Sequence, residues 1–568
     1  MAPATPRCSL AAMRTLPLRP APRLRALPAL FATILAPAIA DAQSATTGAP
    51  LVAAADRIFA PWNNTHGPGC AVGVARGTTT LLERGYGMAD LNGNRPIIAS
   101  TILESGSVAK QFTAAAVMLL VADGKVALED DARKYLPELP SYGRTMTVRH
   151  LLTHTSGLRD WGSLVAWQGW PRNSRAYTQT DLLLLLTSQR TINYPVGDHY
   201  SYTNAGFILA RTLVERVSGM DFETFSRLRI FEPLGLTHTS WRGDYRRVVP
   251  GLGQAYRRTA GGWQIEMPNE SIIGPGGLWT TVGDWLTWNQ HLTRKTLGSA
   301  VVDSMTRQMR LTSGLEIAYA LGLTVGQYRG TKEIGHSGST AGYSTYLARY
   351  PELGDLSVAV MCNAAGAPAA SYVHAIVDAL HPTLPRPSIM DTVALDIAAV
   401  LPWRGHYEDT RWHSISVLDT AGGVLRLSGT PVRARRDGSY QVGGQHVRLA
   451  AGSHTTPRSI RTVTSDGDSV VHVWRAAERW QPTNAELAAL AGRYRSDELD
   501  ITFSVRVRDG KLVVSPRHGV DDVLTPTVKD AFDGGDNAVW FTRGKGGKVT
   551  AMHFGASRVW DLVSVRVP

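Results

Sequence analysis

The sequence predicts an α+β domain followed by two small all-β barrels, and three observations carry that prediction. Between about Leu51 and Leu380, amphipathic or wholly apolar helical stretches alternate with short strand-like runs. The run HPTLPRPS, residues 381–388, holds three prolines and reads as a linker. Beyond it a period of two takes over: Ile501, Phe503, Val505 and Val507 face one way, Thr502, Ser504, Arg506 and Arg508 the other. Turn signals such as Arg508-Asp509-Gly510, Gly534-Gly535 and Gly546-Gly547 separate the runs.

The all-β part is an internal duplication. WRGHYEDTRWHSISVLDTAGGVLRL from Trp403 aligns with LAGRYRSDELDITFSVRVRDGKLVV from Leu490, pairing Gly405 with Gly492, Tyr407 with Tyr494, Gly423 with Gly510 and Leu425 with Leu512. Two copies of this length suit two barrels rather than a solenoid. The expected organisation is a signal peptide over 1–42, a first domain over 43–385, and barrels over 386–482 and 483–568.

The 568 residues, 43% hydrophobic and 19% charged, are ordinary globular material. The N-terminus carries Arg7, Arg14, Arg19, Arg23 and Arg25, then the apolar run LPALFATILAPAIA, then Ala40-Asp41-Ala42. That is the pattern of a secretory signal, starting at Met1 or Met13, and implies a secreted or periplasmic protein. The apolar run is short and broken by Pro37, so no membrane span is expected after signal removal. Without the signal the net charge of +12 falls to about +8. The excess is spread along the chain and not clustered with aromatic residues, so no nucleic-acid partner is expected.

Cys70 and Cys362 lie in apolar strand-like runs. A disulfide is open to them if the strands adjoin, but two buried free thiols are the expectation. No CxxC or HExxH pattern appears, so no metal or organic cofactor is implied.

Chemistry concentrates at ESGSVAKQFT, residues 104–113. The helix SVAKQFTAAAVMLLVADGK is apolar almost all round, as a buried helix would be. Ser107 and Lys110 share a face at i, i+3. A buried lysine loses its charge more readily and can then take the serine proton. This is the only Ser-x-x-Lys in a chain with nine lysines. The only Tyr-x-Asn is Tyr202-Thr203-Asn204; a phenol beside a lysine ammonium gives up its proton more easily, and an asparagine amide can hold a carbonyl. His336-Ser337-Gly338 stands before a strand-like run, in glycine-rich sequence that suits a cleft edge. Ser339 occupies the second glycine position of a nucleophile elbow, which argues against an α/β-hydrolase. His150 and His154 read as structural, and Thr281 with Asp284 as a helix cap.

The order Ser-x-x-Lys, Tyr-x-Asn, His-x-Gly resembles the serine β-lactamase and penicillin-binding-protein superfamily, on its class C-like branch. The segments MTVRHLLTHTSGLRDW, RIFEPLGLTHTSW and GPGGLWTTVGDWLTW resemble that branch as well. The resemblance implies an antiparallel sheet flanked by helices plus an all-helical region, with the motifs meeting at their junction. It implies Ser107 as acylated nucleophile, Lys110 as its base and Tyr202 as second acid/base. Asn204 would bind the substrate carbonyl, the backbone N–H groups of Ser107 and Ser339 the oxyanion, and His336 and Gly338 would line the cleft.

Where related enzymes place a lysine, this chain has His336, which is mostly neutral near pH 7. That favours esters, amides or N-terminal peptides over carboxylate-terminated substrates. The tail resembles the two lipocalin-like barrels of D-stereospecific aminopeptidases, in which a loop of the terminal barrel reaches the cleft and recognises the substrate amine. The expectation is a serine hydrolase for a small-molecule or peptide substrate, either a D-aminopeptidase or an esterase. The alternatives are a β-lactamase or DD-peptidase, and a non-catalytic sensor of cell-wall peptides or β-lactams on the same fold.

Overall fold

The computed structural model describes residues 42–385, 392–443, 445–453, 455–463, 473–535 and 537–568. The expected signal peptide lies outside them except for Ala42. Residues 1–47 and 48–568 are two separate units.

Six strands form an antiparallel sheet: β1 (Cys70–Arg76), β2 (Thr79–Tyr86), β3 (Thr324–Tyr328), β4 (Thr331–Thr340), β5 (Tyr343–Tyr350) and β6 (Leu356–Cys362). Their order is β3-β4-β5-β6-β1-β2. Both faces are covered, so β1 is apolar throughout its buried length. Cys70, Val72 and Val74 pack with Leu51 and Ala55 of α1 (Ala42–Ile58), and Ala71 and Ala75 belong to the opposite core, which also takes in residues of α2 (Lys110–Ala122). The sheet's antiparallel pairing agrees with the rejection of an α/β-hydrolase.

The free-thiol expectation for the cysteines is corrected. β1 and β6 are neighbours in a register that sets Cys70 directly opposite Cys362, with Cα atoms 4.0 Å apart, and the two are joined as a disulfide. The sequence marks both runs as strands, but adjacency of strands 292 residues apart is decided by the fold.

Beside the sheet lies a helical region that includes α3 (Ala205–Ser218) and the short helices Trp161–Trp167 and Gln179–Thr187. Thr281 caps α4 (Val282–Arg294) by accepting the Asp284 N–H, as expected. His150 completes a capping box with Thr147 at Val148–Leu152, a structural role.

After the linker come two all-β sheets. The first is a ring of eight strands between Gly405–Asp409 and Val473–Ala476, closed by pairing of Thr430–Arg435 with Tyr440–Val442; Thr392–Val393 adds a short edge strand. The second is a nearly closed sheet of nine strands, opening between Val520–Val523 and Thr525–Pro526. The duplication survives atom by atom. Tyr407 donates to Trp403 O and Tyr494 to Leu490 O, each four residues back and each at 2.6 Å.

The cores differ. The first barrel encloses its own cluster, Tyr407, Leu418, Leu425, Val447 and Ile460 among others. The second shares one continuous core with the helical region, in which Phe503, Leu512 and Phe554 join Leu158, Trp161 and Trp167. The rings of Trp167 and Phe554 lie 5.1 Å apart.

Candidate active site

The chain enters α2 through a 3-10 turn, Gly106–Ala109, that carries Ser107. Gly106 has φ +52, and a Cβ there would stand 2.6 Å from Ser339 N. A Cβ on Gly338 would stand 2.1 Å from Ser105 O. Both glycines are therefore required for β4 to lie directly against the turn, which brings the first and third motifs together. Thr345 fixes the same approach by donating to Ser105 O at 2.8 Å.

Lys110 is fully buried. Its Nζ lies 3.0 Å from Ser107 Oγ, 2.9 Å from Asn204 Oδ1 and 2.7 Å from Pro275 O. Burial pushes its pKa well below the usual lysine range; the positive charges of Arg558 and Arg172 push the same way and Asp160 opposes them. A neutral amine has two N–H bonds and one lone pair. A backbone carbonyl and an amide oxygen accept the two hydrogens, which leaves the lone pair for the Ser107 O–H. The arrangement is that of a general base aimed at a hydroxyl.

Asn204 is oriented by Asp160, whose Oδ2 accepts the Asn204 backbone N–H at 2.8 Å and Nδ2 at 3.2 Å. That contact turns Oδ1 toward Lys110 and leaves one side-chain N–H for another acceptor. Asp160 is itself fixed as N-cap of Trp161–Trp167.

Tyr202 completes the group. Lys110 Nζ is 4.9 Å from its ring centroid, and its hydroxyl bonds the Ser107 side chain. The expectation that this phenol gives up its proton more easily is corrected. Burial raises its pKa above the ordinary value, more than the contact with Ser107 and the charge of Arg558 lower it. The physical reason is burial, which disfavours the charged phenolate. With its pKa raised Tyr202 is the proton donor of the pair, and with its pKa lowered Lys110 is the acceptor.

His336 is 3% exposed and lines the cavity. Its Nδ1 lies 2.6 Å from Ser337 O, so that nitrogen carries the hydrogen, and Nε2 accepts from the Tyr319 hydroxyl at 2.9 Å. Burial, with help from the Lys110 charge, pushes its pKa down to about 3. The third motif therefore presents a neutral imidazole. His154 packs 4.2 Å from the Tyr202 ring and accepts the Thr203 N–H, as a structural histidine would.

These groups open into a cavity of about 510 Å³, lined by Ser107, Tyr202, Asn204, His336, Gly338 and Ser339, among others. The site residues read from sequence thus meet in one place. Sequence reasoning gave no role to Pro275, Asp160 or Arg558. The first two lie in GPGGLWTTVGDWLTW and GLRDW, segments already marked by resemblance. Nothing in the sequence marked Arg558, which arrives from the second barrel.

The family model "Beta-lactamase" matches residues 54–381. A penicillin-binding protein of Bacillus subtilis (strain 168) is 28% identical over 300 residues, 49% of this chain and 64%, just under two thirds, of that protein. A D-aminopeptidase of Cereibacter sphaeroides (strain ATCC 17023) is 27% identical over 517 residues, 87% of this chain and 95% of that protein. Among solved structures, an octameric penicillin-binding protein homologue from Pyrococcus abyssi superposes with a TM-score of 0.54 at 20% identity, covering 82% of this chain and 97% of that one. That likeness is one of fold.

Proposed function

The chain belongs to the beta-lactamase family and is a serine hydrolase, and from that premise we propose that it cleaves small amides through an acyl-enzyme on Ser107. The observation that carries the proposal is the contact of Ser107 Oγ with a buried Lys110 whose other two partners are both acceptors. Ser107 Oγ attacks the carbonyl carbon and its proton passes to Lys110 Nζ. The oxyanion forms at the junction of Gly106–Ser107 and Ser339. As the carbon–nitrogen bond breaks, Tyr202 protonates the departing amine, and the Lys110 proton replaces the one Tyr202 gave. Water then attacks the ester, giving one proton to the lysine–tyrosine pair while Ser107 recovers its own. The sum is one water consumed, one acid and one amine formed.

A D-aminopeptidase is the subtype favoured by the relatives that match along both barrels. A secreted or periplasmic location is supported by the signal-like N-terminus and by the Cys70–Cys362 disulfide.

The test is turnover of D-alanine p-nitroanilide and its N-acylated forms. Ser107→Ala should lower kcat/KM by about a thousandfold or more. Retained turnover would sink the acyl-enzyme, and a stable adduct on Ser107 without turnover would make the protein a sensor.

A further inference from the structure

Lys110 Nζ donates to two acceptors, and each acceptor is held by a device of its own. Asp160 orients Asn204. Pro275 O belongs to the turn Gly274-Pro275-Gly276-Gly277, which meets one face of α2. Thr113 is fully buried on that helix, three residues beyond Lys110 and so on the same face. A helical threonine can return its hydroxyl to a carbonyl of its own helix. Thr113 Oγ1 instead donates to Gly274 O at 2.8 Å. Two consecutive carbonyls of the turn thus accept from two side chains one helical turn apart.

The far end of the turn is held by Glu104, three residues before the nucleophile. Its Oε1 accepts the Gly277 N–H at 3.2 Å, and Arg242 donates to the carboxylate through Nε at 2.9 Å and Nη2 at 3.3 Å. Arg242 also gives its backbone N–H to Gly277 O at 2.7 Å. The strands Leu103–Glu104 and Leu278–Thr280 pair, with Glu104 opposite Trp279, and the Ser105 N–H donates to Leu278 O at 2.9 Å. Glu104 therefore ties the segment that enters Ser107 to the segment that leaves Pro275. Glu104 and Arg242 are 0% and 2% exposed. Burial pushes the Glu104 pKa up and the Arg242 charge opposes it. Desolvation offsets most of the attraction in such a buried pair, so its net contribution to stability is small. Placement of the turn is the better account of it.

We propose that Thr113 and Glu104 are positioning residues for the general base, fixing the 274–277 turn so that Pro275 O takes one hydrogen of Lys110 and aims its lone pair at Ser107. This rests on the reading of Lys110 as the base of acylation and goes beyond it, because neither residue bonds Lys110 or Ser107. A displaced carbonyl lets Nζ rotate, and a lone pair off the line of the O–H bond takes the proton slowly. The same carbonyl favours the ammonium form, so losing it disfavours the charged lysine. The groups that face Lys110 are the charges of Arg558, Arg172 and Asp160 and the rings of Tyr202, His154 and His336, and no substitution at Thr113 removes any of them.

The experiment is labelling of Ser107 by a fluorophosphonate ester, followed by intact mass across a range of pH. Ser107 Oγ bonds phosphorus, fluoride leaves, and the serine proton passes to Lys110 Nζ. The unsubstituted chain should take one label, and Lys110→Ala should take none. Failure of either result belongs to the acyl-enzyme reading and overturns this proposal with it. Given both, Thr113→Val should slow labelling by about tenfold or more on the pH plateau and move the acid limb to lower pH. The final extent should stay at one label per chain, which a merely structural loss would reduce. Thr113→Ser, which keeps the hydroxyl, should restore rate and limb. Glu104→Gln, which takes the charge from the far end of the turn, should slow labelling in the same way. Thr212→Val removes another buried helical hydroxyl, bonded to Gln179 and Ile208 O on α3, and should change nothing. An unaltered rate in Thr113→Val, a slow rate with an unmoved limb or a reduced extent, no rescue by serine, or equal slowing in Thr212→Val overturns the proposal. If either Thr113→Val or Glu104→Gln does not fold, the other decides alone.

Discussion

The two barrels descend from one duplicated pattern, yet they are used in opposite ways. Both begin with a glycine and a tyrosine that bonds four residues back, and both place a positive-φ glycine, Gly423 and Gly510, at the same turn. The first closes on itself around its own cluster. Its ring contacts among the described residues reach the second barrel, His413 against Trp540 and Arg411 over Trp560. The second barrel is half of someone else's core. Its apolar residues continue into the helical region, and buried Arg159 ties the two by bonding Glu498 and Asp561 O. Sequence similarity between repeats reports a shared fold; which repeat reaches a cleft depends on which residues face outward.

Deleting residues beyond Leu384 is the harshest way to break this comparison. Because half of a continuous core leaves with the second barrel, the truncated chain should be insoluble or lose cooperative melting. A soluble truncate with unaltered turnover would refute the shared core. Milder is the matched pair Leu512→Ala and Leu425→Ala, each 1% exposed and equivalent in the duplication. Each should cost about 2–5 kcal/mol. In scanning calorimetry Leu512→Ala should lower the transition that carries the active site, and Leu425→Ala a separate one. A common shift would show the barrels to be equivalent after all.

The subtlest effect is on pH dependence. Lys110 accepts a proton only when neutral, so activity should fall on the acid side as it becomes charged. Arg558 and Arg172 hold its pKa down and Asp160 holds it up. Removing the Arg558 charge must therefore raise it, and in Arg558→Gln the acid limb of kcat/KM should move to higher pH. A limb that stays in place or moves down would separate the barrel from the chemistry. No such shift is expected from substitutions in the first barrel.

Much of the site was legible because its signals are local. Ser107 and Lys110 are one helical turn apart, and the apolar run around them announced the burial that lowers the lysine's pKa. The Thr281–Asp284 cap was equally local. What failed depended on partners that spacing does not show. The cysteines were misjudged because strand adjacency is a property of the sheet, and Tyr202 because its proton affinity is set by its burial in the folded cleft.

The sequence by itself determined the elements, the three motifs, the two barrels and the pairing of Ser107 with Lys110, since each follows from periodicity or from residues a few positions apart. Only the tertiary structure decided that Cys70 meets Cys362, that Asp160 turns the Asn204 amide, and that Arg558 stands over Tyr202 from 356 residues away. Those are contacts between distant segments, fixed by sheet register and by the docking of one barrel on a shared core, and no local pattern encodes them.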